Sequence, residues 1–156
     1  MDTVMIILHV VAAVFLVGPM AILPMTALRS LRARDAGQTA SLAKSVNLYS
    51  LLSLIVVFFG FGAMGMAEKS DNLSFTTPWI LISIILYAVA LAINLAVVVP
   101  ALRRAADEFP DAGATAGQGG SAAAAVKSRE YPRVAMGSGL SALLLVAVVV
   151  LMVWKP

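Results

Sequence analysis

The chain has 156 residues, 61% of them hydrophobic and only 12% charged, whereas soluble domains carry about 25% charged residues. That composition describes a membrane domain and leaves no length for a separate soluble catalytic domain. The formal charge is +3 and cysteine is absent, which excludes disulfides, thiolate metal sites, iron–sulfur clusters and cysteine nucleophiles.

The first element runs from Val4 to Leu28 and is apolar almost throughout. It exceeds the roughly 20 residues that cross ~30 Å of hydrocarbon as a helix. Arg29, Arg32 and Arg34 follow at once. Basic residues in short loops are held on the cytoplasmic side, so the amino terminus, with Asp2 and no cation, is expected outside. A cleaved signal peptide needs a basic leading region and a core of about 7 to 15 apolar residues. Neither fits here, and the run is read as a retained span. Pro19 and Pro24 predict a bend in it or a broken inner end.

A polar link over 35–44 leads to a second span at about 45–66. Glu68, Lys69, Asp71 and Pro78 mark a short exterior loop, and Trp79 opens the third span at headgroup level. That span runs to about Pro100 and is closed by Arg103 and Arg104. Glycines and small residues dominate about 105–128, a composition that buries too little surface to offset chain entropy and predicts a flexible cytoplasmic loop. The fourth span, 137–154, ends at Trp154 and Lys155, an exterior anchor. Nine of the eleven Lys and Arg fall on the inner segments, as the positive-inside rule requires of four spans. The expected fold is an all-α integral membrane four-helix bundle, one membrane domain over 1–156 with both termini exterior. Its partners are lipid and other integral membrane subunits, with no nucleic-acid module. No internal repeat of the inverted-transporter kind is present.

His9 is the only histidine and lies within the first span, where an ionisable residue is by default a functional hypothesis: metal ligand, haem ligand or proton relay. Met5, one turn earlier, shares its helix face and permits a His-plus-Met copper or haem site. The alternative is a neutral imidazole bonded to another helix, with methionine as ordinary filler. A haem held by two histidines of this chain is excluded. Gly60, Gly62 and Gly65 form a G-x-G-x-x-G string, but it ends an apolar span rather than joining a strand to a helix around a pyrophosphate; the glycines are read as permitting close helix contact. Ala88, Ala92 and Ala96 recur every four residues in the third span, and Gly137 with Ser141 repeats the spacing in the fourth, marking helix-packing faces. Asn94, Tyr87, Ser83, Tyr49 and Ser53 are polar groups expected to bridge helices. No Asp, Glu, Lys or Arg falls inside a predicted span, whereas ion-coupled carriers usually need one. Catalysis and resident cofactors are not expected.

The segment Leu8-His9-Val10-Val11-Ala12-Ala13-Val14-Phe15-Leu16-Val17-Gly18 resembles the opening of a family of small four-span bacterial membrane proteins of unknown function, and copper-resistance membrane proteins have a similar first helix. The Ala-, Val- and Arg-rich usage looks actinobacterial. Within that group the chain is similar to the accessory association factor of the respiratory supercomplex of cytochrome bcc and cytochrome c oxidase. The resemblance implies a non-catalytic, cofactor-free accessory subunit of the bacterial cell membrane, packed against large redox subunits. The other reading is a small metal- or haem-handling membrane protein using His9 and Met5.

Overall fold

The computed structural model describes residues 2–71, 77–109 and 130–154. Among these, four helical rods are long and apolar enough to cross a membrane: Thr3–Ala33, Ala36–Gly65, Pro78–Glu108 and Tyr131–Trp154. The fold is an all-α membrane bundle. Span one comprises α1 (Asp2–Ala12), a π turn at Ala13–Val17 and α2 (Gly18–Ala33). Span two comprises α3 (Ala36–Leu52) and α4 (Leu54–Asp71). Span three comprises α5 (Pro78–Ile93), a second π turn at Asn94–Val98 and α6 (Val99–Glu108), and span four is α7 (Tyr131–Trp154).

Both π turns have the same cause in the sequence. The first ends two residues before Pro19 and the second two residues before Pro100. A proline donates no backbone hydrogen bond and its ring crowds the carbonyl four residues back, here Phe15 and Ala96. Widening the turn moves that carbonyl aside, and the Gly18 and Val99 N–H groups reach back to the carbonyls of Ala13 and Asn94. The rods therefore stay continuous where span one was expected to bend or to break at its inner end. Pro24 lies inside α2 and is buried. In span two the irregularity is a tightened turn: the Val56 N–H donates to the Ser53 carbonyl at 3.0 Å, and the Ser53 hydroxyl to the Ser50 carbonyl at 2.7 Å.

The helices outrun their apolar runs at the arginine-rich end, which corrects the expected links. The polar segment 35–44 is not a linker: α3 starts at Ala36, and the connection is Arg34 and Asp35 alone. Arg34 adopts the left-handed conformation, φ 54°, and its N–H reaches the carbonyls of Ser30 and Leu31, as in a helix C-terminal cap. The Asp35 carboxylate accepts the Gln38 N–H at 2.8 Å and so caps the next helix. Buried Ser30 and Thr39 join hydroxyls at 3.0 Å across this turn. Likewise α6 carries the third span on to Glu108 with Leu102 and Ala105 buried and Arg103, Arg104 and Asp107 outward. The helix of span four begins at Tyr131, ahead of the apolar run that starts at Gly137. Beyond Phe109 the flexible loop expected over 105–128 lies outside the described residues, as do Asn72 and Lys155.

Packing is uneven along the bundle. At the basic end Leu31, Val46, Val99, Leu102, Phe109 and Val134 share one core drawn from all four spans. A smaller central cluster joins Met20, Ala90 and Leu145, with Tyr49 and Tyr87 against it. Toward the far end the rods separate into two pairs: α1 lies along α4 and α5 along α7, while among the described residues the pairs hardly touch.

Candidate functional site

His9 is positioned by the α1–α4 pair. Its Nδ1 lies 2.8 Å from the carbonyl oxygen of Val56 on α4. A carbonyl can only accept, so Nδ1 donates this bond. The ring fits because Gly60 stands opposite: a Cβ there would lie 2.8 Å from the imidazole Cε1 and 3.1 Å from Nδ1. Met5 follows the same seam, its sulfur 3.7 Å from where a Cβ on Gly62 would be. The G-x-G string is thus a seat for span one. The geometry serves two uses, since a hydrogen bond from Nδ1 to a carbonyl both anchors a helix and orients Nε2 as a ligand. Among the described residues no group of three or more His, Cys, Asp or Glu converges on a common point.

The residues expected to pack helices fall in two places. Gly137 sits in the contact between spans three and four, where a Cβ would lie 3.0 Å from Val98 Cγ2 and 3.6 Å from Ile93 Cγ2. One turn further, the buried Ser141 hydroxyl donates to the Ala90 carbonyl at 3.3 Å. Asn94 belongs to the π turn between these levels and is fully buried, and neither atom of its amide has a partner among the described residues. The Ser50 hydroxyl oxygen is in the same condition. Antiparallel register sets Ser50 across from the turn Ala90–Asn94, since Ser53 meets Tyr87 on one side and Val46 shares a core with Val98 on the other. Ala88, Ala92 and Ala96 are instead exposed on the outside of span three.

Three further contacts were not visible as pairs in the sequence. Ser53 and Tyr87 hydroxyls meet at 2.6 Å, linking spans two and three near the centre. Ser83 turns its hydroxyl to the Trp79 carbonyl of its own helix at 2.7 Å. At the basic end Arg32 donates from Nε to the Tyr131 hydroxyl at 3.0 Å, tying the end of span one to the start of span four. The Ser83 bond stays within its own helix, against the expectation that it bridges two; the other two depend on which rods become neighbours, which periodicity does not state.

A helical bundle with four membrane-length rods, apolar outer faces and polar groups mostly turned inward is an integral membrane protein. The chain belongs to the family of predicted integral membrane proteins designated DUF2269, whose profile matches residues 3–156. Comparison with curated proteins and with solved structures gives no match.

Proposed function

We propose that this protein is a non-catalytic accessory subunit of a larger bacterial membrane assembly, and that the assembly is respiratory. The observation that carries the reading is the state of span one. Ile6, Ile7, Val10, Val11, Val14 and Phe15 are all exposed, Val14 and Phe15 by 65% and 68%, and at 100° per residue the outward side chains cover about 200° of the helix. α4 is its one close neighbour among the described helices in that half. A helix in a closed four-helix bundle has two neighbours, whereas this half of span one has α4 alone among the described helices, which leaves a broad face open to the helices of another subunit. The respiratory assignment rests on the resemblance in size and span layout, with Ala-, Val- and Arg-rich usage, to the accessory factor of the respiratory supercomplex. Affinity purification in digitonin followed by mass spectrometry tests it: haem-bearing subunits should co-purify, and the isolated chain should show no Soret band. Recovery of homo-oligomers alone refutes the reading.

The second reading, metal or haem handling through His9 and Met5, is supported by the Nδ1–Val56 bond, which orients the ring and engages Nδ1 rather than Nε2. Stoichiometric copper in the purified chain that disappears in His9→Ala would favour it over the first.

A further inference from the structure

At the basic end, between span three and the first turns of α7, lies a cleft of about 290 Å³. Its lining is apolar on the side away from the basic end, with Ala96, Val97, Pro100 and Ala101 of span three, and charged beyond, with Arg104 of the same rod and Glu130 and Arg133 at the start of the facing one. Pro100 is where the apolar run of span three ends, and Arg133 lies one turn before Gly137, where that of span four begins. The cleft therefore sits at headgroup depth, with its apolar wall toward the hydrocarbon and its charged wall toward water.

We propose that this cleft binds the headgroup of an anionic phospholipid, its phosphate held between Arg104 and Arg133 and its acyl chain laid against Ala96 and Val97. The charges fit an anion: two guanidinium groups face one carboxylate. Glu130 does not saturate Arg133, because Nη1 stands 3.4 Å from each carboxylate oxygen, longer than the roughly 2.7–2.9 Å of a tight charge-assisted bond. The Glu130 side chain is only 9% exposed, against 61% for Arg133, so the carboxylate acts as a fixed post that holds the guanidinium over the cleft while its outer N–H groups remain accessible. Arg104 has no carboxylate within ion-pair distance among the described residues. Tyr131, adjacent to Glu130, is itself pinned by Arg32, which fixes this corner of α7. The apolar wall also continues, since Ala96 is the last of the exposed row Ala88, Ala92 and Ala96, where small side chains leave a shallow track for a chain running toward the bilayer centre. A basic pocket between membrane helices beside such a track matches a phospholipid, charged at one end and apolar along the rest.

The test is native mass spectrometry of the full chain in detergent, titrated with phosphatidylglycerol and with phosphatidylcholine of identical acyl chains. Phosphatidylglycerol should bind more tightly, and Arg104→Gln or Arg133→Gln should each weaken it about five-fold, the effect of one cation at a membrane surface. Arg103→Gln, on the same helix but outside the cleft, is the control and should leave binding unchanged. Melting temperatures without added lipid separate lost binding from lost folding. Equal binding of the two lipids, an Arg103→Gln effect as large as that of Arg104→Gln, or displacement of the lipid by millimolar inorganic phosphate would each overturn the proposal, the last by showing a site for soluble anions.

Discussion

Replacing Gly60 by alanine tests how span one is held. The added methyl would lie 2.8 Å from the imidazole Cε1 of His9, and ordinary carbon contacts begin near 3.5 Å, so the ring must retreat by about 0.7 Å. The Nδ1–Val56 bond, now 2.8 Å, would stretch toward about 3.5 Å and cease to be a hydrogen bond. Losing one interhelical bond in a membrane costs about 0.6 to 1.7 kcal/mol. Overpacking adds about 1–3 kcal/mol, while the better helix propensity of alanine returns about 1 kcal/mol. The net expectation for Gly60→Ala is a loss of about 1–3 kcal/mol, read from reversible unfolding in mixed micelles. Gly65→Ala is the reference, because nothing lies within 4 Å of its Cβ position, and it should be neutral or slightly stabilising. In a His9→Ala background the cost of Gly60→Ala should vanish. If Gly60→Ala is as stable as Gly65→Ala, or if its cost survives removal of the imidazole, His9 does not fasten span one to α4.

Other substitutions probe the remaining contacts by the same unfolding assay. Gly137→Leu places a branched side chain against Val98 and Ile93 and should cost about 2 kcal/mol or more, overpacking being the mechanism. Asn94→Leu exchanges a buried amide without a partner among the described residues for an apolar group of similar size, and should be neutral or stabilise by about 1 kcal/mol; a loss of that size would show that the amide is engaged. Tyr131→Phe removes the acceptor used by Arg32 while keeping the ring, for an expected loss of about 0.5–1.5 kcal/mol. Because the chain has no native cysteine, a single cysteine at Arg34 should be labelled by an impermeant maleimide only from the cytoplasmic face, and labelling from outside would reverse the topology.

The spans were legible because a long uncharged apolar run has one stable arrangement in hydrocarbon. Their basic ends were harder to read. Ala36 to Lys44 is small and polar, and reads as a linker by hydropathy, yet Asp35 followed three residues later by Gln38 is a helix-start signal. Thr39, Ala43 and Val46 then share one buried face. Pro100 was likewise a visible marker for an irregular turn in span three, as Pro19 was in span one. The row Ala88, Ala92, Ala96 shows where a close approach is possible without naming what approaches, and the folded chain leaves it outward. The seat of His9 on Gly60 joins residues 51 positions apart, so neither motif contains the other. Asn94 could be seen as a polar residue in an apolar span, but its burial depends on how spans two and four pack around its turn.

The widened turn at Asn94–Val98 also bears on how the third rod tolerates changes in length. A five-residue turn holds one residue more than the regular coil around it, so deleting a single position there would return the turn to α-helical pitch, at the cost of bringing the Pro100 ring back against the carbonyl four residues before it. The segments above and below would keep their rotational setting, and Arg104 would still face the phosphate depth. The same deletion four positions earlier, in regular helix, would swing every later side chain by about 100° and turn that arginine away. The rod thus carries its slack at one level, and gains or losses of a residue in this family should be confined to it.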